Sequence, residues 1–146
     1  MHKFFTFLQL PVQRKALLLQ VVVLLPLCQI SVHCLSFNRI VKLFRLTSCQ
    51  LSTQVARTCS HDKCSATAWA IDTVVTYLNF MKTRCLGQAL AGHLILARQG
   101  VPTTLFLGVK KNQINSYIAH AWLCCGNYVI TGEVEKTQFS IVAAFS

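Results

Sequence analysis

An α+β domain is predicted from three features of this sequence. Two helical segments with apolar faces, 66–81 and 85–99, precede a series of short β-rich segments separated by polar turns over 103–131. Gly100 and Pro102 stand between the two halves, where a helix C-cap and a residue that blocks helix continuation are expected. Hydrophobic residues make up 53% of the 146 and charged residues 12%, which suits one packed domain with an extension and excludes a disordered chain or a charge-laced coiled coil.

Residues 1–48 read as an apolar, basic helical extension. Lys3, Arg14 and Lys15 precede Ala16–Asn38, which has no Lys, Arg, Asp or Glu, and Arg39, Lys42 and Arg45 follow. Such a stretch is long enough for a membrane span of about 20 residues. The same stretch, with its run LLLQVVVLLPL, also resembles a signal segment. Gln20, Gln29 and His33 interrupt it, Pro26 is expected to break or kink a helix, and basic residues at both ends give no orientation. The third reading is two helices packed on the rest of the chain or on a partner. Over 39–47, Ile40, Leu43 and Phe44 share a helical face and Arg39, Lys42 and Arg45 fall on the other.

Residues 49–65 read as a polar linker. Within it Cys59, His61 and Cys64 form C-x-H-x-x-C, a possible set of three metal ligands. Zinc sites usually carry a second ligand pair at defined spacing, and none follows, so the simpler reading is a loop with an incidental Cys and His and no bound metal. The eight cysteines include Cys28 and Cys34 in apolar runs and the adjacent pair Cys124 and Cys125. That pattern favours free thiols in a reducing, cytoplasmic setting, with contact at the inner membrane face as an option for the extension.

The remaining residues, 66–146, form the domain that carries chemistry. Trp69, Ala70, Val74, Tyr77 and Leu78 give the first helix its apolar face. Thr83 is a candidate N-cap for the second, in which Leu86, Ala89, Leu90 and Leu94 share a face. Strands are expected over Thr103–Val109, Tyr117–Cys124 and Tyr128–Thr131, with turns at 110–116 and 125–127.

Cys85 begins its helix, where unpaired backbone N–H groups and the helix dipole stabilise a thiolate, the nucleophilic form of cysteine. Arg84 and Lys82 act in the same direction. His120 lies in Ile118-Ala119-His120-Ala121-Trp122, and alternation sets His120 with Trp122 on one face and the alanines on the other. The small alanines permit close approach of the Cys85 helix. A helix-tip Cys facing a strand His can form a nucleophile and proton shuttle. The Cys85 N–H, with the Asn79 amide as a second donor, could bind an oxyanion. The bland alternative is a buried small Cys and a satisfied core His. His93, inside the Cys85 helix, reads as structural, and His61 belongs to the linker.

The net charge of +10 favours an acidic partner. Only Asp62, Asp72, Glu133 and Glu135 are acidic, which argues against a glycosidase-type carboxylate pair. The basic residues are scattered and no recognition motif accompanies them, so nucleic acid is not an expected partner.

Trp69-Ala70-Ile71, Arg84-Cys85-Leu86-Gly87-Gln88-Ala89-Leu90, Arg98-Gln99-Gly100-Val101-Pro102, Leu107-Gly108-Val109 and Ala119-His120-Ala121-Trp122-Leu123 occur in order. Together they resemble the lasso-peptide leader peptidases, the transglutaminase-like microcin-processing cysteine proteases, over about residues 66–132. The resemblance implies a papain/transglutaminase-like core, a catalytic helix packed on an antiparallel β-sheet. It also implies a peptidase, without cofactor, that removes the leader of a ribosomal precursor before a separate ATP-dependent cyclase closes the ring. Cys85 would be the nucleophile and His120 the base. The family's third residue is an Asp about a dozen residues beyond the His. Here Glu133 is the nearest acid, Asn127 is the alternative, and a dyad is the third option. The expected partners are the precursor peptide, a separate leader-recognition protein and the cyclase. The alternatives are a transglutaminase-like acyltransferase or amidase, or a non-catalytic membrane-associated binding module.

Overall fold

A computed structural model describes residues 11–49, 59–77, 85–114, 116–132 and 138–146. Helix α1 spans Val12–Cys34 and α2 spans Phe37–Leu43. Pro26 lies inside α1 without ending it. A proline removes one backbone bond, to the carbonyl four residues back. That carbonyl belongs to Val22 on the exposed face, while Leu25 and Cys28 on either side of the proline are buried. Tertiary packing thus holds the helix through the expected break.

The helix after the linker is α3, His61–Tyr77, so the linker ends at Ser60 rather than at residue 65. The Ser60 carbonyl accepts the Cys64 N–H at 3.0 Å, Asp62 sits in the first turn, and Cys64 is fully buried. Ser before Asp at a helix start is an N-terminal signal that the polar composition of the segment hides. Residues 50–58, and 78–81 of the predicted helix, lie outside the described residues.

Helix α4 covers Cys85–Arg98, close to the predicted span. It is buried on most of its circumference, including Gly87, Ala89, Leu90, Ala91, Gly92, Ile95 and Leu96. A helix with apolar residues all round must be covered on all sides. Helices α1 and α3 pack on it from one side, and the sheet packs on the other. Gly92 marks the closest approach: a Cβ there would meet Leu123 Cδ2 of the sheet at 2.9 Å and Ile71 Cδ1 of α3 at 3.2 Å.

Strands β1 (Thr104–Lys111), β2 (Tyr117–Cys125), β3 (Tyr128–Thr131) and β4 (Ser140–Phe145) form one antiparallel sheet in the order β3-β2-β1-β4. β1 runs two residues beyond its predicted end, because Lys110 and Lys111 pair with Ile118 and Tyr117. β4 was not among the predicted strands. It returns to the free edge of β1 and pairs Phe145 with Leu105. The segment after α2 then runs along β4, with reciprocal bonds between Thr47 and Ser146 at 2.9 Å each. The N-terminal third is therefore joined to the sheet edge as well as to α4. Leu18, Val21, Leu25 and Ile40 belong to the same core cluster as Leu90, Ile95 and Leu123. A second, smaller cluster of Phe106, Trp122, Cys124, Phe139 and Ala144 covers the far face of the sheet.

Two outcomes test this packing. Leu25 is 0% exposed and Leu27 is 54% exposed. Leu25→Ala should lower the urea-unfolding free energy by about 2–5 kcal/mol, and Leu27→Ala should change it by less than about 0.5 kcal/mol. His93 is buried against Thr103, with Nδ1 2.8 Å from the Thr hydroxyl, and burial lowers its pKa below the ordinary 6.5. The unfolded chain therefore binds a proton that the folded one rejects. The stabilisation is complete above pH 6.5 and is lost as the pH falls through the lowered value. Thermal unfolding followed across this range should show that decline, and His93→Gln should flatten it.

Candidate active site

Alternation along β2 sends Ala121, Leu123 and Cys125 into the core under the helices and Trp122 and Cys124 to the far-face cluster. Ala121 is the point at which the first turn of α4 meets the strand. Its backbone N–H donates to the Cys85 Sγ at 3.3 Å. A larger side chain at this 2% exposed position would hold the helix tip away. The sequence-predicted Cys and His are thus brought to one place, at adjacent strand positions. Among the described residues no hydrogen bond joins Cys85 and His120 directly. The Ala121 nitrogen is two covalent bonds, about 2.4 Å, from the His120 Cα, so the sulfur lies at most about 5.7 Å from that atom.

His120 is half-buried. Its ring stacks on Trp122 at 5.9 Å between centroids and lies 5.1 Å from the Phe139 ring. Its Nε2 is 3.2 Å from the Gly132 carbonyl oxygen. A carbonyl only accepts, so this bond assigns the ring proton to Nε2. In the neutral ring Nδ1 then keeps the lone pair.

The structure treats the remaining predicted site residues differently. Asn127 is exposed in the β2–β3 turn. Cys125 lies five residue steps along the strand from His120, about 17 Å, so Asn127 is too far away to orient the imidazole. Glu133 follows Gly132 directly, and it lies outside the described residues, as do Asn79, Lys82, Thr83 and Arg84. Gly132 was not singled out in the sequence. It has φ +78°, and a Cβ there would lie 2.8 Å from the Ala121 carbonyl oxygen and 3.1 Å from His120 Nε2. A glycine directly after a strand was the one signal that could have marked it. Phe139 was also missed, because its contact with His120 spans 19 residues and depends on the return of the chain into β4.

A cleft of about 660 Å³ opens beside His120, between α3 and β3, with Trp69, Asp72, Gln88, Tyr128 and Thr131 in its walls. That volume suits a short stretch of peptide or a small molecule. Arg14 of α1 lies over the Trp69 ring at 5.2 Å, so the extension supports the cleft wall.

His61 does not join Cys59 and Cys64. Its ring lies 4.9 Å from that of Tyr128, and the third sulfur beside the two cysteines is Cys125. None of the eight cysteines, all of them among the described residues, is joined in a disulfide.

Residues 28–144 match the transglutaminase-like superfamily. The chain belongs to this superfamily. The match begins inside α1 and runs nearly to the end of β4, so it takes in the layers on both sides of α4. Transglutaminase-like proteins are typically cysteine-dependent enzymes, consistent with peptidase or acyl-transfer chemistry. No curated protein and no solved structure matches this transglutaminase-like chain.

Gly132 and Gly100 both have positive φ, but nothing lies within 4 Å of a Cβ placed on Gly100. Gly132→Ala should therefore cost more in denaturant unfolding than Gly100→Ala. The strain of the backbone alone is about 1–3 kcal/mol at either site, and only Gly132→Ala adds the collision with Ala121 and His120.

Proposed function

We propose that this transglutaminase-like protein is a cysteine peptidase that removes the leader from a ribosomally synthesised lasso-peptide precursor. The observation that carries the reading is the Cys85 sulfur at 3.3 Å from the amide that follows His120, at the tip of a buried helix. The ordered set of motifs that resembles the leader peptidases supports the finer assignment. In this scheme Cys85 Sγ attacks the scissile carbonyl and its proton passes to His120 Nδ1, the nitrogen left basic by the Gly132 bond. The backbone N–H groups at the start of α4 face the developing oxyanion. His120 then protonates the leaving amine, and the C–N bond breaks. Water hydrolyses the thioester and frees the leader. The Gly132 carbonyl orients the base from the main chain, and Glu133 is the acid proposed to assist it.

The partners in this reading are the precursor, a separate leader-recognition protein that delivers it, and the cyclase that acts next. The exposed apolar face of α1 is offered as the docking surface for that machinery or for the inner membrane face. Superfamily membership also favours acyl transfer as a second reading, with an amine in place of water at the thioester.

Incubation with precursor and recognition protein should release a free leader, detected by mass spectrometry. Cys85→Ala should abolish release, and His120→Ala should slow it on the order of 10²–10⁴-fold. Undiminished release by Cys85→Ala would refute the mechanism. A product heavier by a condensed amine would establish acyl transfer instead.

A further inference from the structure

Three sulfurs converge outside the candidate active site. Cys59 comes from the chain just before α3, Cys64 from the first turn of α3, and Cys125 from the end of β2. Their Sγ atoms all lie within 4.8 Å of one another, and Cys59 and Cys64 are 3.5 Å apart. Cys64 and Cys125 are fully buried and Cys59 is half-buried. In a tetrahedral zinc site with Zn–S bonds of about 2.3 Å, neighbouring sulfurs are about 3.8 Å apart. The observed triangle needs only small side-chain movements to match that spacing. Thiolates without a carboxylate select a soft ion and exclude calcium and magnesium.

We propose that Cys59, Cys64 and Cys125 bind one zinc ion that ties the start of α3 to the β2–β3 hairpin. Each Zn–S bond forms as its thiol releases a proton to solvent, and a water completes the tetrahedron on the side of half-buried Cys59. The sequence pattern pointed to His61 as the middle ligand, but its ring packs on Tyr128 instead. The ion would lie close to the cleft in sequence terms, because Ser65 and Tyr128, one and three residues from its ligands, line that cleft. The proposal is independent of the peptidase reading.

The test is a cobalt(II) titration of the full chain, kept reduced with a phosphine that does not bind the metal. A thiolate-to-cobalt charge-transfer band with visible tetrahedral bands should saturate at one cobalt per chain, and zinc(II) should bleach it. Cys59→Ser and Cys125→Ser should each weaken binding on the order of 100-fold, while Cys34→Ser, at an exposed position of α1, should not. Zinc(II) should raise the melting temperature of the wild type and not of Cys59→Ser. Circular dichroism confirms that each variant is folded, and Cys59→Ser is the informative one should the buried Cys125→Ser fail to fold. Absence of the charge-transfer band overturns the proposal. So does a band that survives Cys59→Ser and is lost in Cys85→Ala, or a Cys59–Cys64 disulfide found by mass spectrometry in the protein as purified, before any reductant is added.

Discussion

The burial of α4 on nearly every side is the constraint on which the rest of the structure depends. Its small residues let two layers close on it at once, α1 and α3 from one side and the sheet from the other. Dense packing leaves such a helix little freedom to slide or rotate. The position of its first residue is therefore set by contacts along its whole length. Cys85 meets the Ala121 amide because Gly92, two turns further on, fits between Ile71 and Leu123.

His120 is held by a different set of contacts. Its strand neighbour Ala121 points into the core, while its own ring belongs with Trp122 and Phe139 at the edge of the far-face cluster. The ring nitrogen that faces away from the candidate nucleophile's role is engaged by a main-chain carbonyl, which only glycine can present at this φ and this distance from Ala121. Among the described residues, this backbone acceptor is the group that sets the tautomer. That arrangement suits a chain with only four acidic residues.

The N-terminal helix has two unlike faces. Leu18, Val21, Leu25 and Cys28 complete the core, and Gln29 packs where a Cβ on Gly87 would collide with it, two residues beyond Cys85. Leu19, Val23, Leu27 and Ile30 remain exposed. The helix is long and apolar enough to cross a membrane by length and composition, yet one face is committed to the fold. Its family match likewise starts within α1 rather than after it.

The sequence by itself determined the α+β class, the two central helices and three of the four strands, because periodicity and turn residues are local signals. It also pointed to Cys85 and His120, since a helix-tip cysteine and a histidine between alanines are legible from residue type and spacing. Only the tertiary structure decided the rest. Pro26 stays within a helix because packing outweighs one missing bond, and β4 becomes a strand because it finds the edge of β1. Gly132, Phe139 and Cys125 gain their roles from neighbours far away in the chain. Contacts of that range leave no periodic trace, so they become visible only when the sheet closes over α4.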